Sequence, residues 1–275
     1  MPSKRNIENL EALTAALKGA GGSFFVVNYQ GLEAGPTGKL RKAVREKGGE
    51  MIVAKNTLIR KAIRDLGLPE VDGLSGPSAV VVFSDPAAVA KALKEGGCIA
   101  IEITMTTPNA LKVIEQVSKE MGKDVIVGVG SVLDAETARM AILAGAEYVV
   151  APVLDIPTIH MAHRYDKPCI PGGFTPTEIL AAWTAGADVV KVFPATVGGP
   201  AFFKDIKGPL PQIKLTPTGG VDLKTAGAFI KAGAEFLGVG SALVTKEALA
   251  TGDMKSITSL AEQFCAEVRK ARSEK

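Results

Sequence analysis

DVVKVFPA, residues 188–195, is a short apolar run rich in β-branched residues, with one charge inside it and a proline near its end. Six further runs of the same kind surround it: CIAIEIT (98–104), VIVGVG (125–130), EYVVAP (147–152), PCIPGG (168–173), IKLTPTGG (213–220) and FLGVGS (236–241). Each is closed by Gly or Pro, or runs into them, as buried parallel strands are. Amphipathic stretches lie between them, such as NALKVIEQVSKEMG (109–122) and AETARMAILAGA (135–146), with apolar residues three and four apart. This alternation is the βα rhythm of a parallel sheet wrapped by helices. Seven strands are one short of the (β/α)8 TIM-type barrel, and an eighth stands immediately upstream: SAVVVF (78–83), followed by the helix-like DPAAVAKALKEGG (85–97). The reading is therefore an α/β chain. Residues 78–275 form a barrel completed by this strand, residues 78–96 are a shared junction segment, and residues 1–77 are a small α/β region with two strands, FFVVNY and MIVA.

In such a barrel the chemistry sits at the C-terminal ends of the strands. Lys191 lies between Val190 and Val192. A buried amine either pairs or loses its proton, and a neutral amine attacks a carbonyl carbon. Two readings fit the residue at this point: a covalent nucleophile, or a strand-end lysine whose ammonium reaches solvent. Glu102, between Ile101 and Ile103, is a second charge in an apolar strand. Alternate residues face the barrel interior, so it reads as a proton carrier beside the amine or as a structural ion-pair partner. Thr218-Gly219-Gly220 and Gly240-Ser241 end the last two strands, the second just before the helix-like ALVTKEALA (242–250). Backbone N–H groups there suit an anionic substrate group.

The text IEITMTTPNAL, VGVGSVLDAE, VVAPVLD, PGGFTPTEILAAW, DVVKVFPA, GPLPQIKLTPTGGV and GVGSALV resembles the 2-keto-3-deoxy-6-phosphogluconate and 4-hydroxy-2-oxoglutarate aldolases. The resemblance implies a class I aldolase with Lys191 as the Schiff-base residue and Glu102 as general acid/base. It implies that Ser131 contacts the pyruvyl carboxylate or carbinolamine, and that Thr218, Gly219, Gly220, Gly240 and Ser241 hold the distal hydroxyl and phosphate. It further implies a phosphorylated keto-acid substrate, a homotrimer, and neither cofactor nor metal. Two positions depart from the family pattern, which carries Arg four residues after the Glu and another at the end of strand one. Here they read Thr106 and Phe83-Ser84-Asp85.

The front of the chain differs in charge. Residues 1–64 hold 12 Lys and Arg against 5 Asp and Glu, whereas the remainder holds 20 against 24. MPSKRNIENL, FFVVNYQGL (24–32), LRKAVREKGGEMIVAKNTLIRKAI (40–63) and LSGPSAVVVFSDPAAVAKAL (74–93) resemble the N-terminal half of large-subunit ribosomal protein ten. That resemblance implies ribosomal-RNA contacts at Lys4, Arg5, Lys55, Asn56 and Arg60, mostly to phosphates. The same basic face without nucleic acid is the alternative.

No run approaches the roughly 20 apolar residues of a membrane span, and the N-terminus lacks the apolar stretch of a secretory signal, so a cytoplasmic location is expected. Cys98, Cys169 and Cys265 are too few and too scattered for a disulfide framework. His160 and His163 stand three apart on a helix with no third ligand in reach of the pattern, so no metal is expected. Trp183 reads as helix-to-barrel packing.

Overall fold

The computed structural model describes residues 4–19, 24–28, 38–39, 41–42, 44, 49–68, 78–83, 85–107 and 109–274. Two compact units emerge, one of residues 1–88 with 246–254, the other of 89–245 with 255–275.

The first unit holds α1 (Lys4–Gly19), β1 (Phe24–Asn28), β2 (Gly49–Val53), α2 (Asn56–Asp65) and β3 (Ser78–Phe83). Leu13 and Leu17 of α1 meet Ile59, Ala62 and Ile63 of α2 over Val80 of β3. The three strands form an antiparallel sheet in the order β1-β3-β2. β3 pairs with β1 from Ser78 against Asn28 to Val82 against Phe24, and with β2 from Ala79 against Val53 to Phe83 against Gly49.

The sequence reading gives Ser78–Phe83 to the barrel as a shared segment; in this structure it is the centre of the N-terminal sheet. The cause is local. β1 and β2 are not hydrogen-bonded to each other, and β3 satisfies the inner edge of both; among the described residues neither has another ladder partner.

The second unit continues with α3 (Pro86–Glu95), whose N-terminal residues belong to the first. It then alternates β4 (Ala100–Thr104), α4 (Ala110–Met121), β5 (Ile126–Gly130), α5 (Ala135–Leu143), β6 (Tyr148–Val150), α6 (Ile156–Arg164), β7 (Cys169–Ile170), β8 (Gly172–Gly173), α7 (Pro176–Thr184), β9 (Val190–Val192), α8 (Gly199–Lys207), β10 (Leu215–Pro217) and α9 (Ala226–Lys231). All these strands are parallel, in the orders β4-β5-β6-β7 and β8-β9-β10. β7 and β8 are one strand interrupted at Pro171, and Gly172 N–H donates to the Val153 carbonyl across the break at 3.1 Å. Bridges from Leu215 to Ala234 and from Thr218 to Gly238 add residues 234–238 as a further parallel position. The sequence fixes the helix starts locally: Asp134 and Asp155 accept from the Thr137 and Thr158 N–H groups, and Thr175 with Glu178 makes a capping box. Between the sheet and helices α7–α9 lies a core built on Ile179, Val190, Phe203, Ile213, Leu215 and Phe229, with Trp183 packed against it. α10 (Lys246–Thr251) and the long α11 (Met254–Ser273) follow.

Gly240-Ser241 does not open a helix directly. Residues 241–244 make a turn in which the Gly240 carbonyl accepts from Leu243 and Val244 N–H, and α10 begins only at Lys246.

Candidate active site

Along β4, Ile101 and Ile103 are buried while Glu102 is open to a cavity, the alternation expected of a strand with helices on one face and a lumen on the other. The lumen is a cavity of about 890 Å³. Lys191, on β9, faces it while remaining 5% exposed, because both flanking strands close around the side chain. Its register partners are Gly172 on β8 and Thr216 on β10. Thr216 is itself buried, with its hydroxyl donating to the Phe236 carbonyl at 2.9 Å. The Lys191 Nζ stands 5.1 Å from the centroid of the Phe193 ring.

Burial lowers the Lys191 pKa, and the nearby Glu102 charge works against that shift. Burial raises the Glu102 pKa, and Lys191 opposes it in turn. Each group therefore favours the neutral form through desolvation while its partner favours the ionised one. The site thus holds an amine biased toward its neutral form beside a carboxyl group that can carry a proton, the two parts that reversible attack of an amine on a carbonyl requires.

Two glycines make room for this arrangement. A side chain at Gly130 would overlap the Glu102 carboxylate, and one at Gly128 would overlap the ring of Tyr148, which shares the cavity wall. Tyr148 has its pKa raised, first by burial and then by the Glu102 charge. Sequence reading missed this role; the signal was the glycine pair at alternate positions in an otherwise β-branched strand, which marks a close approach.

Of the other residues singled out from sequence, Ser131, Thr218 and Gly240 line the same cavity. Ser131 follows β5 with a φ of 58°, a left-handed position that turns the chain where the strand ends. Thr218 N–H donates to the Val192 carbonyl, and its own carbonyl accepts from Ala195 N–H, locking the end of β10 to that of β9. Gly219 and Gly220 follow at φ 86° and 72°, and the Thr218–Gly238 bridge brings this turn alongside the next. Gly219 and Ser241 adjoin lining residues in the chain and Gly220 follows Gly219, but none of the three lines the cavity itself. Thr106, where the aldolase pattern has Arg, is exposed; its hydroxyl lies 2.8 Å from that of Thr104, with Thr107 at 3.4 Å from Thr104. This hydroxyl cluster at the end of β4 was not anticipated. Neither was the role of His163, which pairs with Asp188 at 3.0 Å while Asp188 also accepts from the Cys169 N–H. Among the described residues no group of three His, Cys, Asp or Glu could hold a metal ion, and no helix is long and apolar enough to cross a membrane.

The candidate RNA residues fall in the first unit. Lys4 and Arg5 open α1, Lys55 precedes α2, and Asn56 and Arg60 lie on α2, which packs against α1. Lys55 and Arg60 are exposed. Ser84, within one of the two departures from the aldolase pattern, lies outside the described residues.

A parallel TIM-type α/β architecture with a buried amine and a carboxylate on one cavity wall defines a class, the carbon–carbon lyases of the class I aldolase kind. The chain belongs to the KDPG and KHG aldolase family, whose model matches residues 78–260. It is 34% identical to a 2-dehydro-3-deoxy-phosphogluconate aldolase of Pseudomonas aeruginosa, over 64% of this chain and 80% of that protein. A solved structure of KDPG aldolase from Legionella pneumophila, with pyruvate captured as a covalent carbinolamine, superposes with a TM-score of 0.60 at 29% identity, over 65% of this chain and 86% of that one. A second family model, ribosomal protein L10, matches residues 1–96. There the chain is 59% identical to the large ribosomal subunit protein uL10 of Thermus thermophilus, over 34% of this chain and 54% of that protein. The chain thus spans a little over half the length of the ribosomal relatives it matches.

Proposed function

We propose that the chain cleaves a 4-hydroxy-2-keto acid into pyruvate and an aldehyde, with Lys191 as the covalent residue. The neutral Lys191 amine attacks the keto carbon, and the carbinolamine loses water to give an iminium. Glu102, through a water, takes the proton of the C4 hydroxyl. The C3–C4 bond then breaks, its electron pair moves into the iminium to form an enamine, and the aldehyde departs. Protonation of the enamine carbon and hydrolysis release pyruvate and the free lysine. Ser131 holds the pyruvyl carboxylate, and Thr218, Gly219, Gly220, Gly240 and Ser241 hold the distal hydroxyl and phosphate. The substrates are 2-keto-3-deoxy-6-phosphogluconate, giving glyceraldehyde 3-phosphate, and 4-hydroxy-2-oxoglutarate, giving glyoxylate. The observation that carries this reading is the buried Lys191 on the same cavity as Glu102, each opposing the other's shift. A homotrimer in the cytoplasm, working without metal or cofactor, completes it.

The test is borohydride reduction in the presence of pyruvate followed by peptide mass mapping. A pyruvyl adduct on Lys191 that vanishes in Lys191→Ala supports the proposal. No adduct at millimolar pyruvate overturns it.

A second reading concerns residues 1–64, where the positive charge gathers and which lie within the match to ribosomal protein L10. Here Lys4, Arg5, Lys55, Asn56 and Arg60 bind ribosomal RNA. Affinity that falls steeply with salt, and a smaller salt slope in Lys55→Ala/Arg60→Ala, would support it; salt-independent binding would count against it.

A further inference from the structure

In a closed barrel the strands form an unbroken wall, so a lumen residue and the packing face of an outer helix do not share one cavity. Here they do: Leu93 of α3 and Phe264 and Val268 of α11 line the cavity that holds Glu102 and Lys191. Among the described residues no strand stands between β4 and residues 236–240, and Glu102, Thr104 and residues 236–240 border that cavity. β4 bonds along one edge only. The Ile99 carbonyl accepts from Ile126 N–H at 2.7 Å, and Met105 N–H donates to the Gly130 carbonyl at 2.8 Å, so the odd-numbered residues point their backbone groups at β5. Glu102 points both of its groups the other way and Thr104 its N–H, the Thr104 carbonyl accepting from Thr107 N–H at 2.9 Å; among the described residues no strand pairs with that edge.

The described parallel positions are β4, β5, β6, β7 with β8, β9, β10 and residues 234–238, one short of the eight of a TIM-type barrel, and chain order says which strand completes them. A strand, a helix and a parallel strand connect with a right-handed crossover that sets the two strands in one sheet. The strand ahead of α3 and β4 is β3, and residues 84–99 are long enough for such a crossover. SAVVVF is apolar on both faces from Ala79 onward, the composition of a strand covered on both sides. Both family matches claim it, the ribosomal one ending at residue 96 and the aldolase one starting at residue 78.

We propose that Ser78–Phe83 exchanges between two partners: antiparallel with β1 and β2, as seen here, and parallel with the free edge of β4, where it closes the barrel. One strand cannot hold both sets of bonds, so a closed barrel and an intact N-terminal sheet exclude each other. Anything that stabilises one weakens the other by the same factor. As a control on the lyase site this rests on the aldolase reading; the change of partner does not.

The test weakens the N-terminal core in the full chain and watches β4. In Leu13→Asp, a charge placed in that core frees β3. Backbone hydrogen exchange at Glu102 and Thr104 is then expected to slow by about tenfold or more, while exchange in Phe24–Asn28 quickens. Leu17→Ala, a milder change in the same core, shows the same pattern at smaller amplitude and serves if the first variant fails to fold. Adding Val53→Cys and Ala79→Cys, a facing pair on β2 and β3, and oxidising them removes the gain at β4. Loss of protection in the N-terminal sheet with no change at Glu102 and Thr104 overturns the proposal. So does a gain that grows with protein concentration, because the strand then comes from a second copy. Pyruvate trapping on the same samples, with cyanoborohydride, tests the lyase separately: absence of an adduct sinks the aldolase reading and leaves the exchange result as it stands.

Discussion

β9 and β4 carry the two charged residues of the site, and they are housed differently. β9 has a bonded neighbour on each side, and Lys191 is 5% exposed between a glycine and a buried threonine. Among the described residues β4 has a neighbour on one side, and Glu102 opens into the cavity. The same alternation of inward and outward residues therefore yields a sequestered amine on one strand and an accessible carboxylate on the other. A nucleophile that must lose its proton gains from a complete set of neighbours, whereas a proton carrier that works through water gains from an incomplete one.

Substitutions of decreasing effect probe this contrast. Lys191→Met is expected to abolish the pyruvate adduct altogether, since no other described amine is buried on the cavity wall; a surviving adduct, found by mass mapping, would move the nucleophile elsewhere. Glu102→Gln is expected to slow cleavage by about 10²- to 10⁴-fold. It also removes the charge that holds the Lys191 pKa up. Adduct formation needs the neutral amine, so its rate rises with pH and levels off below the ordinary lysine range of about 10.4. In Glu102→Gln that plateau begins at still lower pH, and an unmoved profile from a pH series of trapping rates would show the two groups to be uncoupled. Gly130→Ala pushes the Glu102 carboxylate aside and should cost about 100-fold in turnover while leaving trapping by pyruvate nearly intact. Equal loss of both would mean that Gly130 serves the fold instead. Thr106→Arg, which restores a cation near the end of β4, is expected to tighten binding of the phosphorylated substrate by about 10- to 100-fold. Titration of the trapped or inactive enzyme with substrate measures it.

Lys191 and Glu102 were legible because a lone charge in a β-branched run has few explanations. The run of βα units was legible because each strand closes on Gly or Pro. Ser78–Phe83 left its partners open for the opposite reason: Val80, Val81 and Val82 suit either kind of sheet, and nothing in the segment says which neighbours compete for it. Gly128 and Gly130 hid their purpose because a glycine advertises space without naming the side chain that uses it. The helix after Gly240 begins later than expected because ALVTKEALA has helical composition from its first residue, whereas the chain spends 241–244 on a turn before α10 begins.

The C-terminal helix α11 lines the cavity with Phe264 and Val268, is tied to α3 by the Thr258 hydroxyl on the Ala92 carbonyl, and is tied to the last strand position by Arg272 on the Glu235 carbonyl. It is also synthesised after every other described helix and strand. At about 5–20 residues per second, roughly 10–40 s pass on the ribosome between the completion of β3 and that of α11. During that interval β1 and β2 are available to β3 and the far wall of the cavity does not yet exist. Translation order alone thus hands the contested strand to the N-terminal sheet first.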